Sequence, residues 1–410
     1  MKIANNYRLL LISQFITAFG DNALIAIILG PLTFGYNVGK VSEQNVNEVN
    51  AILSIVFFLP YIVIAPAAGF FNDRFPKTRV LFAGNIIKLI GVGFCLFGLL
   101  KNLDLHFAGY YIVGIGACIY SPAKYGILPE IVSKDKLVKA NGYVEMLTLA
   151  AILGGLWAGG KIIDSISQDR AYLFVILLYM FSGFLTVLME KTSSNPEIRF
   201  FESVRDFNKN LKAIFRSPRL IRILLGTGIF WFAGAGLRST LQSWGLNVLN
   251  SADSAMVSNE QLALLKIWLA LGIIMGSGLA GFIHRTGDLR AVRIYGWLVA
   301  GFMFVLSYVM GRGFSHVTLI ILLVTEGISA GLYLIPLNAA LQSEIDRSNL
   351  GKAIATQNFI DNVAMVLSSG IVLILSGLAF STHSVLAILA SIIALIVVFL
   401  KVPPKSNNAQ

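Results

Sequence analysis

Charged side chains occur inside apolar runs that are long enough to cross a bilayer. One of them is Asp21, in the stretch QFITAFGDNALIAIILG that runs from Gln14 to Gly30. A carboxylate at the centre of a membrane helix costs about 3 kcal/mol by insertion measurements. Side chains of this kind usually face a protein interior or a wet cavity and serve binding or transport. The sequence therefore predicts a polar site within the membrane.

Membrane charges of both signs occur in the predicted helices. The acidic residues are Asp21, Glu145, Glu326 and Asp361, and the basic residues are Lys88, Lys124, Arg238 and Lys266. This balance allows the interior to be nearly neutral. We expect Lys266, near the outer end of its helix, to extend toward the membrane surface. We expect Lys88 and Glu326 to serve structure rather than binding.

Helical spacing places several of these charges on polar faces. Gln14, Thr17 and Asp21 recur at intervals of three and four residues and share one face of the first predicted helix. Comparable sets are Thr227, Trp231, Arg238 and Gln242; Asn141, Glu145 and Thr148; and Gln357 with Asp361. A second interpretation stays open, because buried ion pairs also join helices while adding little net stability.

Twelve membrane helices are predicted from composition and hydropathy. The chain has 410 residues, of which 56% are hydrophobic and 13% are charged, whereas a soluble domain averages about 25% charged residues. Apolar runs of about 20 residues, the length that spans a bilayer, recur along the chain. The predicted helices are 7–32, 51–71, 79–100, 106–129, 137–163, 171–190, 219–248, 262–284, 291–311, 316–340, 352–378 and 383–402. We therefore expect an all-α integral membrane protein.

The distribution of basic residues predicts the topology. The net charge is +11, and most lysines and arginines fall in alternate loops, in particular 73–79, 133–139, 191–222 and 284–293. Because positively charged loops stay in the cytoplasm, we expect these loops and both termini there. A basic surface of this kind fits contact with acidic lipid headgroups, and we expect no nucleic-acid partner.

The sequence predicts neither a metal site nor an enzyme. Cys95 and Cys118 lie within predicted helices and lack metal-binding spacing, and the four histidines are scattered near helix ends. Nucleophile and base residues do not cluster. We therefore expect no catalytic residues and no cofactor.

The two halves of the sequence resemble each other. GFFNDRFPKTRV (69–80) aligns with GFIHRTGDLRAV (281–292), and YSPAKYGILPE (120–130) aligns with LIPLNAALQSE (334–344), both at an offset near half the chain. A duplicated six-helix unit is therefore predicted, with a site near the midplane where the halves meet. The predicted parts are an N-terminal bundle at 1–190, a cytoplasmic linker at 191–218, a C-terminal bundle at 219–402 and a cytoplasmic tail at 403–410.

The segment GFFNDRFPKTR (69–79) resembles the loop between the second and third helices of the major facilitator superfamily, except that Pro76 replaces a glycine. The resemblance implies the twelve-helix, 6+6 pseudo-symmetric fold of that superfamily, in which helices 1, 4, 7 and 10 line a central cavity. Asp21, Lys124, Arg238 and Glu326 fall one on each of those helices.

Residues at the cytoplasmic helix ends are predicted to act in gating. Asp73, Arg74 and Arg79 lie in the loop just described and are expected to form a gate contact rather than to bind substrate. Glu130 and Glu344 end a matched pair of helices, and we expect them to accept hydrogen bonds from the neighbouring loops.

Seven stretches resemble the bacterial lysophospholipid transporter family. They are QFITAFGDNAL (14–24), YSPAKYGIL (120–128), KLVKANG (136–142), AAILGG (150–155), FWFAGAGLR (230–238), PLNAALQ (336–342) and AIATQN (353–358). The resemblance implies a flippase that moves lysophosphatidylethanolamine, and also lysophosphatidylglycerol, from the outer to the inner leaflet of the bacterial inner membrane by alternating access. Re-acylation would follow, by an acyltransferase/acyl-ACP synthetase that we expect to be a separate protein.

The same resemblance implies the binding residues. The family's essential aspartate, helix 4 lysine and helix 7 arginine fall on Asp21, Lys124 and Arg238, and IDN (360–362) stands where the family has GEN. The predicted substrate-binding residues are Asp21, Asn22, Lys124, Glu145, Trp231, Arg238, Asn338, Gln357, Asn358 and Asp361. Arginine suits bidentate contact with phosphate, and lysine adds a point charge. Asp21 would pair with an ethanolamine ammonium or with a coupling cation, Na+ or H+. We expect a monomer surrounded by membrane lipids.

Two other classes of protein stay open as alternatives. One is a drug/proton antiporter or another small-molecule transporter of the same fold, although Lys124 and Arg238 would repel cationic drugs. The other is a membrane enzyme or an acyltransferase scaffold, which the lack of a nucleophile–base pair disfavours.

Overall fold

A computed structural model describes residues 2–133, 137–253, 256–284, 288–312, 316–345 and 350–403. These residues form fifteen α-helices joined by short connections. In chain order the helices are α1 (Lys2–Asn37), α2 (Glu43–Val63), α3 (Ala65–Arg74), α4 (Lys77–Lys101), α5 (His106–Gly126), α6 (Leu128–Ile131), α7 (Leu137–Ser165), α8 (Gln168–Val187), α9 (Phe200–Phe215), α10 (Pro218–Asp253), α11 (Asn259–Ile283), α12 (Val292–Met310), α13 (His316–Glu344), α14 (Leu350–Gly377) and α15 (Thr382–Phe399).

Eleven helices of the described chain are long and apolar enough to cross a membrane, namely α1, α2, α4, α7, α8 and α10 to α15. The remaining predicted span, 106–129, corresponds to α5, which has 21 residues and the sequence HFAGYYIVGIGACIYSPAKYG. Its length suffices to span a bilayer, and its tyrosines, its glycines and Lys124 interrupt its apolar residues. The all-α membrane class predicted from the sequence is confirmed.

The second predicted span is interrupted in the structure. The sequence predicts one helix over 51–71, whereas α2 ends at Val63 and α3 begins at Ala65. Ile64 between them has φ −111° and ψ 10°, which is not helical. Pro66 accounts for the interruption, because proline has no N–H to donate to the Ile62 carbonyl one turn earlier and its ring crowds that carbonyl.

One compact unit of the chain comprises 1–35, 56–206 and 258–263. Within it α4 and α5 approach closely, because glycines leave room for the facing backbone. A side-chain carbon added at Gly91 would lie 2.5 Å from the Gly109 carbonyl oxygen. Leu10, Leu81 and Ile127 are fully buried in the apolar core of this unit. Small residues at such positions are the usual device for packing membrane helices.

The second compact unit comprises 36–55, 207–257 and 264–410. Its core includes Leu237, Leu323 and Leu389. Here α11 and α13 pack backbone to backbone: a side-chain carbon at Gly272 would lie 2.2 Å from the Val324 carbonyl oxygen. The predicted linker 191–218 contains a helix that the sequence analysis did not anticipate, α9. Of the predicted tail, only Pro403 is among the described residues.

Candidate substrate site and membrane charges

Asp21 on α1 is one member of a buried ion pair. The ammonium of Lys88 on α4 lies 2.6 Å from Oδ2 and 2.9 Å from Oδ1, and the Tyr179 hydroxyl donates to Oδ1 at 2.6 Å. The Lys88 side chain is 1% exposed and that of Asp21 is 15% exposed. The carboxylate thus neutralises a lysine that has no access to water, and it keeps a narrow opening of its own.

Aromatic rings and glycines hold this pair in place. The Lys88 ammonium lies 5.3 Å from the ring centre of Tyr120 and 5.8 Å from that of Tyr179, within the range of cation–π attraction. A side-chain carbon at Gly116 would lie 2.6 Å from Cγ of Lys88. One at Gly20 would lie 2.9 Å from the Tyr179 ring. The glycines therefore admit the lysine stem and the tyrosine ring that reach Asp21.

The rest of the predicted polar face of α1 is buried in the same unit. Thr17 donates to Asn85 at 2.9 Å and lies 2.6 Å from the Ser182 hydroxyl. Ser13 lies 2.8 Å from the same hydroxyl, and Asn85 donates to it at 3.1 Å. These side chains join α1 to α4 and α8, so that the face carrying Asp21 is a helix-packing face as well as a polar one.

Lys124 on α5 is held by neutral groups. It is buried, its ammonium donates to the Thr148 hydroxyl at 3.2 Å, and it lies 4.5 Å from the ring centre of Tyr125. The Tyr125 hydroxyl donates to Glu145 at 2.7 Å. Within the described ranges no carboxylate lies within 4.0 Å of the Lys124 ammonium. The lysine thus keeps its positive charge available to a ligand.

Arg238 on α10 is half-buried and has no hydrogen-bond acceptor among the described residues. Lys266 on α11 donates to Gln242 at 2.6 Å. A side-chain amide of the neighbouring helix thus holds the Lys266 ammonium, and its extension toward the membrane surface stays a prediction. Among the described residues neither cation has a carboxylate partner, and two cations without a counter-ion favour an anion.

Asp361 on α14 accepts a hydrogen bond from Thr227 on α10 at 2.8 Å and is buried. Gln357 donates to Asn338 at 2.7 Å, which joins α14 to α13. The structure thus brings four of the predicted polar residues into contact in two pairs. Trp231 is 39% exposed and stacks edge to face on Phe230.

Asn22, Asn362 and Glu326 make no side-chain contact with another helix among the hydrogen bonds of the described residues. Asn22 and Asn362 each bond a backbone carbonyl one turn earlier in their own helix, Asn362 to the exposed Asn358. Glu326 on α13 is 1% exposed, and neither of its carboxyl oxygens has a hydrogen-bond partner in the described part of the chain. A carboxyl group in such a place lacks the hydrogen bonds that would offset its burial.

Glu130 and Glu344 each tie a helix end to another segment. Lys77 lies 2.5 Å from Glu130, and the backbone N–H and hydroxyl of Ser193 donate to it at 2.9 and 2.8 Å. Burial acts to raise the pKa of Glu130, but the bonds from Lys77 and Ser193 together lower it below the ordinary value. Arg219 forks onto both oxygens of Glu344 at 2.6 to 2.8 Å.

In the predicted gate loop, Arg74 contacts the following linker through its side chain and its backbone. Arg74 donates to the Ile198 carbonyl at 2.9 Å, and its own carbonyl accepts from the N–H of Asn195 at 3.2 Å. Asp73 and Arg79 are exposed. Arg74 therefore attaches the linker to the end of α3. No group of three or more His, Cys, Asp or Glu side chains in the described residues is arranged to hold a metal ion.

Sequence reasoning missed the partners in these contacts. It assigned Lys88 to structure without pairing it with Asp21, and it did not consider Tyr179, Lys77 or Arg219. A usable signal existed for Lys88, since a buried lysine in an apolar helix is stabilised by an anionic partner and Asp21 was available.

Membrane-spanning helices that contain buried polar residues and charges of both signs are typical of polytopic membrane transporters. Residues 10–369 match the Major Facilitator Superfamily, and the chain belongs to that superfamily. As expected from the sequence, it is therefore a transporter rather than an enzyme.

Relatives within the superfamily are similar to this chain over most of its length. The chain is 35% identical over 373 residues to the lysophospholipid transporter LplT of Photorhabdus laumondii, covering 90% of this chain and 88% of the relative. It is 34% identical over 364 residues to the protein of the same name from Klebsiella pneumoniae, covering 88% and 86%. The family resemblance predicted from the seven sequence stretches is thereby confirmed.

Solved structures agree on the fold. The human organic anion transporter MFSD10 superposes with a TM-score of 0.71 at 15% identity, covering 98% of this chain and 100% of that one. A POT family transporter in complex with a thioalcohol-conjugated peptide gives 0.72 at 12% identity, covering 96% and 95%. At these identities the likeness concerns the fold alone.

Proposed function

We propose that this chain transports lysophospholipids from the outer to the inner leaflet of the bacterial inner membrane. The observation that carries the proposal is Arg238, a half-buried guanidinium without an acceptor among the described side chains. Its fork of N–H donors matches two oxygens of a phosphodiester. The names of the curated relatives support the substrate class.

Lys124 supplies a second positive charge in this proposal. Its ammonium is bonded to the neutral Thr148 hydroxyl, so that binding an anion breaks no ion pair. Arginine fixes the orientation of the phosphate through its planar fork, and lysine adds attraction that depends little on direction. Asn338, Gln357 and Asn358 are the polar residues that we assign to the glycerol hydroxyl.

Asp21 has a different role from the two cations. Its carboxylate is bonded to Lys88 and Tyr179, so an ethanolamine ammonium or a coupling cation reaches it only by sharing or displacing Lys88. The 15% of the side chain that stays exposed leaves a route for that exchange. Glu145 and Asp361 supply further negative charge, and Asn22 and Trp231 complete the proposed set of substrate contacts.

Alternating access is the proposed transport mechanism, supported by superfamily membership and by the duplicated sequence. The proposed halves are 1–190 and 219–402, with the linker and both termini in the cytoplasm. Glu130, Glu344, Asp73, Arg74 and Arg79 would stabilise the cytoplasmic helix ends. The transporter would act as a monomer, without a cofactor, and a separate acyltransferase/acyl-ACP synthetase would consume its product.

Uptake of labelled lysophosphatidylethanolamine into spheroplasts tests the substrate site. Arg238→Ala removes charge-assisted hydrogen bonds worth about 1.5–3 kcal/mol, which corresponds to a loss of about 10- to 150-fold in uptake at low substrate. Arg238→Lys keeps the charge and is expected to retain part of the rate. The control is Arg312→Ala, which removes an exposed arginine stacked on Tyr308. Equal uptake by Arg238→Ala and Arg312→Ala, at matched expression, would contradict the proposed phosphate contact.

A parallel assay separates the alternative of a drug/proton antiporter. Cells that express the chain are expected to gain no resistance to cationic drugs, because Arg238 and Lys124 repel them. Resistance that disappears in the Arg238→Ala variant would favour the antiporter.

A further inference from the structure

Helix α9, which lies between two membrane-spanning helices, has three distinct faces. At 3.6 residues per turn, Phe201, Arg205, Lys209, Lys212 and Arg216 (the residue that follows α9) fall within an arc of about 80°. We name the four cationic residues of this arc the basic stripe, and Phe201 lies at its N-terminal end. The apolar side chains of Val204, Phe207, Leu211 and Ile214 lie on one side of it, and Glu202 and Asp206 lie on the other.

The apolar face of α9 packs against other parts of the protein, whereas the side chains of the basic stripe are exposed. Ile214 is buried in the core of the second unit, and Phe207 packs edge to face on Phe359 at 5.8 Å. Arg205, Lys212 and Arg216 are exposed, and Phe201 is 84% exposed. A single exposed phenyl ring is ordinary, but a contiguous exposed apolar patch marks an interaction site.

Phe201 belongs to a larger group of phenyl rings. It contacts Phe200 at 5.7 Å, and Phe200 packs on Phe70 of α3 at 5.4 Å. Phe71 and Phe75 stack at 6.1 Å and are both more than one-third exposed. This cluster gives the start of α9 an apolar surface next to its cationic side chains.

We propose that the basic stripe of α9 binds acidic phospholipid headgroups of the adjacent leaflet, with Phe201 inserted among the upper acyl groups. Cations beside exposed aromatic rings are the features by which a helix lies in a membrane interface. Each lysine or arginine near an anionic membrane surface strengthens binding by about fivefold. A lipid surface satisfies both the rings and the charges, whereas an acidic protein would satisfy the charges alone.

A reporter at Phe201 tests the docking. Phe201→Cys carries an environment-sensitive fluorophore on the full-length protein, reconstituted in vesicles of phosphatidylcholine with or without phosphatidylglycerol. Both native thiols, Cys95 and Cys118, are buried, so wild-type protein should label weakly. The expected result is a blue shift and quenching by lipids with nitroxide-labelled acyl chains when phosphatidylglycerol is present. Added salt should reverse both, because exposed charges are screened.

Removing charges from the basic stripe tests whether these cations cause the docking reported by the fluorophore. Arg205→Gln, Lys212→Gln and Arg216→Gln are combined in the reporter protein, and docking is expected to weaken about fivefold for each charge removed. The matched control combines Lys40→Gln, Lys101→Gln and Arg170→Gln, which removes three exposed charges from other parts of the chain. A reporter signal unaffected by phosphatidylglycerol, or lost equally in both triple variants, would overturn the proposal.

Discussion

The ion pair between Asp21 and Lys88 makes a quantitative prediction about stability. Asp21→Asn leaves the Tyr179 hydroxyl an acceptor but removes the charge opposite an ammonium that is 1% exposed. Removing one partner of a buried pair costs about 3–5 kcal/mol, since the remaining charge stays buried without compensation. We expect a loss of this size in the free energy of unfolding for Asp21→Asn, and a comparable loss for Lys88→Met.

The double variant separates pairing from simple loss of a side chain. Asp21→Asn with Lys88→Met removes both charges, and replacement of a whole buried pair by uncharged residues is often close to neutral. Its unfolding free energy is therefore expected within about 2 kcal/mol of wild type, far less than the sum of the single losses. Equilibrium unfolding of the purified protein in mixed micelles measures all four members of the cycle.

An exposed ion pair in the same unit provides the control cycle. Lys161 and Glu260 lie 3.9 Å apart, and their side chains are 56% and 35% exposed. Their coupling is expected to stay below about 1 kcal/mol. Additive losses in the Asp21–Lys88 cycle, or an unchanged stability of Asp21→Asn, would refute the reasoning.

The same double variant distinguishes a structural from a binding role for Asp21. If the carboxylate serves only to neutralise Lys88, lysophospholipid uptake recovers together with stability. If the carboxylate also receives the headgroup or a coupling cation, stability recovers and uptake does not. We expect the second result, because Asp21 keeps the opening that Lys88 lacks.

Three further predictions concern single positions. Gly116→Ala places a carbon 2.6 Å from Cγ of Lys88 and should lower the unfolding free energy by about 1–3 kcal/mol. The control Gly93→Ala meets no atom within 4 Å and should leave the unfolding free energy unchanged. Equal losses in the two variants would contradict the packing argument. Glu130→Gln should cost up to about 1 kcal/mol at neutral pH. Because the folded-state pKa of Glu130 lies below the ordinary value, the difference in unfolding free energy between wild type and Glu130→Gln should vanish as the pH falls through that pKa. A difference that persists in acid would argue against the Lys77 contact. Glu326→Leu should raise the free energy of unfolding by about 1–3 kcal/mol, because it removes a buried carboxyl group that has no partner among the described residues. A large loss of unfolding free energy would contradict this account of Glu326.

Hydropathy was sufficient to predict the all-α membrane class and the approximate spans, because the length and apolar character of a membrane helix are local properties of the sequence. The break at Ile64 was missed because the apolar run continues across Pro66, although a proline at that position indicates a break in the helix. Helix α9 was missed for the opposite reason: its composition is polar, and only the helical spacing of its apolar residues marks it as more than a linker.

The candidate site was predictable in its residue types and not in its contacts. A charge within an apolar run is visible in the sequence, but its partner is selected by tertiary packing. Lys88 and Lys124 are both lone lysines in apolar surroundings, yet one pairs with Asp21 and the other is held by Thr148. Which partner each lysine finds depends on which helices pack together. Glycines such as Gly116 allow that packing through contacts between residues far apart in the chain.

The hydroxyl and amide contacts among Ser13, Thr17, Asn85 and Ser182 have a consequence for motion. In the hydrocarbon interior no water competes for these groups, and a sliding helix would leave them unsatisfied. Helices α1, α4 and α8 should consequently travel as one rigid block throughout the transport cycle. Spin labels on α1 and α8 would keep a constant separation and could serve as an internal ruler for movements elsewhere in the protein.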